Sequence, residues 1–230
     1  MEDANGYIAL ATKFAGLIAT LVQVYALAWQ ESAYEHSASA QRSQYYSKML
    51  GIYMDLMAFG TAVVIIGTNV LFPYFIDSSY TLTQTILPIY YLSAFANAIS
   101  NFYGHIFNAE KKTNILLYST ILGAAVNILL LYLLINQIGI FSVPIALTLG
   151  YLANVLMRIF SIQRTVRVRF YLPRLLVDFL VLASACTMAY VPVSMLWKVL
   201  YACGVGGLLC WMYRKKISAG FSSVKGKFHG

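Results

Sequence analysis

Forty-five consecutive residues, Thr113 to Met157, contain no Asp, Glu, Lys or Arg. Shorter charge-free runs, Leu56 to Ile76 and Phe179 to Trp197, repeat the pattern. About 18 apolar residues carry a helix across the roughly 30 Å hydrocarbon core of a bilayer, so the longest run holds two crossings. Unpaired backbone groups are too costly in lipid for anything but helices or closed barrels. The alternating strands of about ten residues that a barrel needs are not visible in the sequence. The chain is therefore expected to be an all-α, polytopic membrane helix bundle. Composition agrees: 60% of residues are hydrophobic and 10% charged, against about 25% charged in typical soluble domains.

Seven spans are expected: Gly6–Gln30, Ile52–Phe75, Thr85–Asn108, Ile115–Ile135, Ile138–Phe160, Leu175–Val191 and Met195–Tyr213. Lys13, Asp178 and Lys198 lie near enough to span ends to snorkel. Gly67, Gly104, Gly123, Gly139, Gly150 and the Gly204–Gly207 cluster suit close helix contacts. The connections between spans alternate in charge. Arg42 and Lys48, then Lys111 and Lys112, then Arg164, Arg167, Arg169 and Arg174, and finally the basic tail all fall on one side. The positive-inside rule makes that side cytoplasmic, which puts the N-terminus outside and the C-terminus inside. The net charge of +8 is thus spent on topology, and no nucleic-acid partner is expected. The segment Gln30–Gly51 reads as an amphipathic cytoplasmic connector lying on the membrane.

Chemistry-bearing motifs are sparse. Cys186, Cys203 and Cys210 sit in apolar runs without metal-ligand spacing and read as packing residues, so no metal is expected. There is no GxSxG, HExxH, paired-carboxylate motif or phosphate-binding glycine loop. Neither an enzyme nor a cofactor is expected.

Polar residues inside the spans carry the functional signal, because they are costly in lipid and turn toward a cavity or another helix. In the third span Tyr90, Ser93, Asn97, Asn101, Gly104 and Asn108 fall within roughly 80° at 100° per residue. Amides there can line a substrate-facing wall or glue helices together. His105 beside this row can titrate or serve as a structural hydrogen-bonder. Lys13 in the first span can hold an anionic headgroup or snorkel outward, and Thr20 and Gln23 continue roughly its face. In the fifth span Thr148, Tyr151, Asn154 and Arg158 share one side. Arg158 can bind phosphate through its guanidinium fork or anchor the helix at the interface. Asp178 follows Arg174 by four residues, which predicts a local ion pair. Asp55 is expected to face water at the end of its span.

The order of several segments resembles the bacterial polysaccharide and O-antigen flippases of the multidrug/oligosaccharidyl-lipid/polysaccharide exporter superfamily. The opening Gly6-Tyr7-Ile8-Ala9-Leu10-Ala11-Thr12-Lys13 is similar to the start of a helix in their second half. The Tyr45–Tyr46 connector, the Asn108-Ala109-Glu110-Lys111-Lys112-Thr113 turn, the Gly123–Asn127 helix and Ile138-Gly139-Ile140 resemble the segments that follow. The likeness covers about residues 5 to 170. Ser142-Val143-Pro144 departs from it where the family often has Gly-Ala-Ala.

This resemblance implies the carboxy-terminal half of a flippase. Residues 1–173 would be an incomplete second-lobe bundle, 174–213 two terminal helices and 214–230 a basic cytoplasmic tail. Two such lobes around one site give alternating access. The implied cargo is an undecaprenyl-pyrophosphate-linked oligosaccharide moved across the bacterial inner membrane for polysaccharide or lipopolysaccharide synthesis. The substrate-binding residues would be Lys13, Gln23, Tyr90, Asn97, Asn101, Asn154 and Arg158. Partners would be that lipid-linked glycan, membrane lipids and a missing amino-terminal half. An outside N-terminus without a signal peptide suits such a half. The alternatives are a multidrug or lipid II exporter of the same superfamily, a non-transporting scaffold for glycan-assembly enzymes, or a membrane transferase.

Overall fold

The computed structural model describes residues 2–169 and 171–227, with the side chains of 4–27, 29–169 and 171–214. Seven α-helices follow one another: α1 (Glu2–Ser37), α2 (Arg42–Phe75), α3 (Thr81–Ala109), α4 (Thr113–Ile138), α5 (Ser142–Gln163), α6 (Leu172–Tyr190) and α7 (Met195–Lys227). Two single 3-10 turns, Ser78–Tyr80 and Gly139–Phe141, complete the order, and no strand occurs among the described residues. By length and composition five segments can cross a membrane: Ala4–Leu27, Arg42–Phe75, Thr113–Gln163, Leu172–Tyr190 and Met195–Arg214. The third of these holds both α4 and α5. The helix α3 falls outside the five because it spends its interior positions on Gln84, Asn97, Asn101, His105 and Asn108.

Local chemistry sets the helix ends. The end of α4 is capped by Gly139 at φ +56°, a backbone region that side chains other than glycine's resist. At the start of α6, Pro173 sits in the first turn, where its missing N–H is no loss. Asp77 caps the short turn before α3 by accepting from the Ser79 N–H at 2.8 Å. That bond and the Ser79 hydroxyl hold its carboxyl below the usual carboxylate range. The expected connector Gln30–Gly51 is not a separate element. Helix α1 runs to Ser37 and α2 starts at Arg42, so only 38–41 turn. Hydropathy marks the part of a helix that suits lipid, whereas backbone hydrogen bonds carry the helix past it. In the same way α7 continues through the basic segment to Lys227, where a tail was expected after Tyr213.

Contacts fix the helix directions. Phe14 meets Phe72, Tyr25 meets Tyr53 and Trp29 meets Tyr46, so α1 and α2 are antiparallel. Thr83 donates to the Tyr7 carbonyl and Trp29 stacks on Phe102 at 4.4 Å, so α3 runs parallel to α1. In α4 and α5 the pairs Ser119–Arg158, Gly123–Asn154 and Asn127–Gly150 step by four in opposite senses. Ser100 bonds Asn154, and Gly104 faces Arg158, which sets α5 parallel to α3. Asn69 reaches Ala189 as Asp55 reaches Arg174, and Lys198 and Tyr213 meet the same two α2 residues in reverse order. Successive helices therefore alternate, and the basic connections gather at one end of the bundle.

Two apolar clusters form the core. One, around Trp29, Tyr53, Phe102 and Tyr103, joins α1, α2 and α3 near the basic end. The other joins Ile18, Phe59, Ile66 and Tyr91 with Leu182, Ala185 and Val205, so α6 and α7 pack directly on α2. The glycines divide into two groups. A Cβ on Gly123 would lie 2.9 Å from the Gly150 carbonyl, and one on Gly150 2.8 Å from that of Gly123, so these two let the helix backbones touch. Gly67, Gly204, Gly206 and Gly207 instead face open space, because no other described element covers them.

Candidate functional site

The first candidate is a polar strip on the bundle's outer surface. On α1 the exposed residues include Ala9, Thr12, Lys13, Gly16, Thr20 and Gln23. At 100° per residue they fall within roughly 100° of one another. Leu17, Leu21 and Val24 are exposed along their flank. Thr12 and Thr20 return their hydroxyls to the Ile8 and Gly16 carbonyls, so Gln23 and Lys13 are the strip's free polar groups among the described residues. Lys13 lies in a shallow cleft of about 360 Å³ beside Asp77 and Tyr80.

The α3 row meets this strip at Tyr90. Tyr90 is buried and its hydroxyl lies beside Thr12. Asn97, Asn101 and Asn108 are half-buried, whereas Ser93 is buried and returns its hydroxyl to the Tyr90 carbonyl at 2.7 Å. His105 packs edge-on against Trp29 at 6.1 Å.

The α5 candidates do not join the α1 strip. Asn154 is 6% exposed and accepts from Ser100 Oγ at 2.9 Å. Arg158, also 6% exposed, donates Nε to Ser119 Oγ at 2.9 Å and Nη1 to the Ser100 carbonyl at 2.6 Å. Its Nη2 reaches Thr120 Oγ1 at 3.3 Å. Every one of these partners is neutral. Arg158 therefore ties α3, α4 and α5 together. Beside it a cleft of about 230 Å³ runs between α4 and α5, walled by Thr120, Asn127, Tyr151 and Asn154.

The second candidate escaped the sequence. Asp55 is fully buried and takes both Arg174 Nε and Nη2 on its two oxygens. Tyr213 donates to Asp55 Oδ2 at 2.7 Å and accepts from Arg174. Gly51 makes room for this guanidinium, since a Cβ there would stand 2.7 Å from Nη1. Asp178 is 2% exposed and neither of its oxygens has a hydrogen-bond partner among the described residues. Two expectations fail here. Arg174 pairs across helices with Asp55 in preference to Asp178, and Asp55 does not face water. The bidentate fork on a buried carboxylate outweighs an i,i+4 contact worth only about 0.2–0.5 kcal/mol. No local spacing could have found residues 119 apart. The sequence signal was that a carboxylate lay inside one span and an arginine at the edge of another, where few charges are present.

Among the described residues no group of His, Cys, Asp and Glu is arranged to hold a metal ion. Comparison with protein-family models, with curated proteins and with solved structures found no match to this chain. The site must therefore be argued from its own geometry.

Proposed function

We propose that this chain is one lobe of a bacterial inner-membrane flippase for lipid-linked oligosaccharides, working with a second lobe that faces α1. The observation that carries the reading is a contrast between outward faces. Helix α4 exposes Leu117, Ile121, Leu122, Ile128, Leu129 and Tyr132, side chains suited to lipid tails. Helix α1 exposes Thr12, Lys13, Gly16, Thr20 and Gln23 within its apolar segment Ala4–Leu27, with Tyr90 of α3 beside them. Polar side chains at such depth favour a water-filled cavity or a partner helix over lipid. Lys13 would meet the pyrophosphate charge, Gln23 and Tyr90 the sugar, and Asn97 and Asn101 the wall behind them. Arg158 and Asn154 would hold the helices that carry this wall.

The alternating helix directions, with basic connections at one end, favour seven crossings with that end in the cytoplasm and the N-terminus outside. Single cysteines at Ser79 and Lys112 test this topology. A membrane-impermeant maleimide applied to intact cells should label the first and spare the second. For cargo, Lys13→Ala and Asn101→Leu in a full-length version should each lower surface-glycan export at least severalfold, with protein levels unchanged. Export at the parental level in both variants would remove the proposed substrate wall.

A further inference from the structure

The junction of α2, α6 and α7 has an unbalanced charge. Asp55 and Arg174 neutralise each other through two hydrogen bonds, and Tyr213 completes the set. Asp178 is left over, 2% exposed, with both oxygens unpartnered among the described residues. The titratable and charged groups facing it are Asp55 on α2, Arg174 on its own helix and Tyr213 on α7, with Arg169 and Tyr171 on the cavity wall. Helix α3 also touches α6 but contributes no charged group there among the described residues. If both carboxylates were ionised, one guanidinium would face two of them in a site removed from water. A buried, uncompensated carboxylate is costly enough that neutralisation is the cheaper state.

The cavity beside Asp178 shows what can neutralise it. It measures about 10 Å³, at the lower limit of what one water needs. Beyond Asp178 its wall offers two side-chain oxygens, the Tyr171 hydroxyl and Ser47 Oγ, and the latter is already engaged with the Ser43 carbonyl and the Arg169 N–H. A hard metal ion takes six or more oxygens, which this pocket does not supply. A proton needs only the carboxylate.

We propose that Asp178 is a proton-binding site, occupied while α6 and α7 are docked on α2, and that losing the proton weakens this docking. With the proton in place the junction is neutral. Without it, Asp55 and Asp178 compete for Arg174, whose fork is one of the contacts that fasten α6 to α2. The sign follows from linkage: a group that binds its proton more tightly when folded gives stability at low pH that is lost as pH rises.

The test uses the full chain in lipid nanodiscs, with infrared detection of the protonated-carboxyl carbonyl stretch and thermal unfolding between pH 6 and 9. The expected result is a protonated-carboxyl band at pH 6 that Asp178→Asn abolishes and that Asp55→Asn, which frees Arg174 for Asp178, weakens. Wild-type Tm should fall by several degrees towards pH 9, while Asp178→Asn, which mimics the protonated acid, should stay flat. A band absent at pH 6, surviving in Asp178→Asn, or erased by exchanging potassium for sodium chloride would overturn the proposal. Should Asp178→Asn not fold, carbodiimide labelling of the wild type decides, read by mass spectrometry of the Asp178 peptide. An adduct at pH 6 that disappears at pH 9 supports the proton, and no adduct at pH 6 refutes it.

Discussion

Arg158 and Arg174 are two arginines in one bundle, and the protein satisfies them in opposite ways. Arg174 meets a carboxylate through a two-point fork. Arg158 meets two hydroxyls and a carbonyl, each from a neighbouring helix. The first arrangement concentrates its energy in one ion pair, and its loss strands a charge. The second spreads three hydrogen bonds over α3 and α4, and its loss strands only neutral groups. The difference shows that a cation inside a membrane bundle needs hydrogen-bond acceptors first and an opposite charge only second.

The largest break in this comparison should come from Arg174→Ala. It leaves Asp55 fully buried beside Asp178 with no cation. The cost should be about 3 kcal/mol, at the low end for severing a buried pair because the Arg174 side chain is 30% exposed. Asp55→Asn should cost less, since a partly exposed guanidinium can turn to water. Thermal unfolding in detergent gives both values, and equal losses would refute the asymmetry. Next comes Arg158→Met, which keeps the length and removes the charge. Its expected cost is about 1–2 kcal/mol, set by unpaired hydroxyls and a carbonyl. A loss as large as that of Arg174→Ala would mean that Arg158 has an anionic partner. Smallest is Tyr213→Phe, which deletes one hydrogen bond to Asp55 and should cost about 1 kcal/mol. If Arg174 keeps its fork in that variant, the carboxylate alone defines the junction.

The helices were legible because lipid imposes one rule on every residue of a span. The charge-free run from Thr113 became α4 and α5, and Gly123 and Gly150 occupy the close approach that their size suggested. The Tyr90–Asn108 row was legible as a face, since that needs only the helical period. Its surroundings were not, because they depend on which helix lies alongside. The same limit hid the partners of both arginines. Arg174 and Asp178 are neighbours in sequence, yet Asp55, 119 residues away, presents its carboxylate at the better angle. The three polar atoms around Arg158 come from α3 and α4, and none stands out alone in an apolar run. Local spacing therefore predicted a contact where tertiary register supplied a stronger one. The length of α1 beyond Gln30 was misjudged for a different reason: hydropathy measures what lipid accepts, not where a helix stops.

The α4–α5 hairpin has a consequence for how the chain enters the membrane. On its own α5 brings a guanidinium that lipid resists, and α4 brings Ser119 and Thr120, hydroxyls with little apolar purpose. Each helix carries what the other lacks, and the turn at Gly139 folds them face to face with their backbones in contact. The pair is thus better suited to insertion as one unit than as two successive segments. A ribosome that has released Arg158 has already supplied, 39 and 38 residues earlier, the Ser119 and Thr120 acceptors that make its burial tolerable.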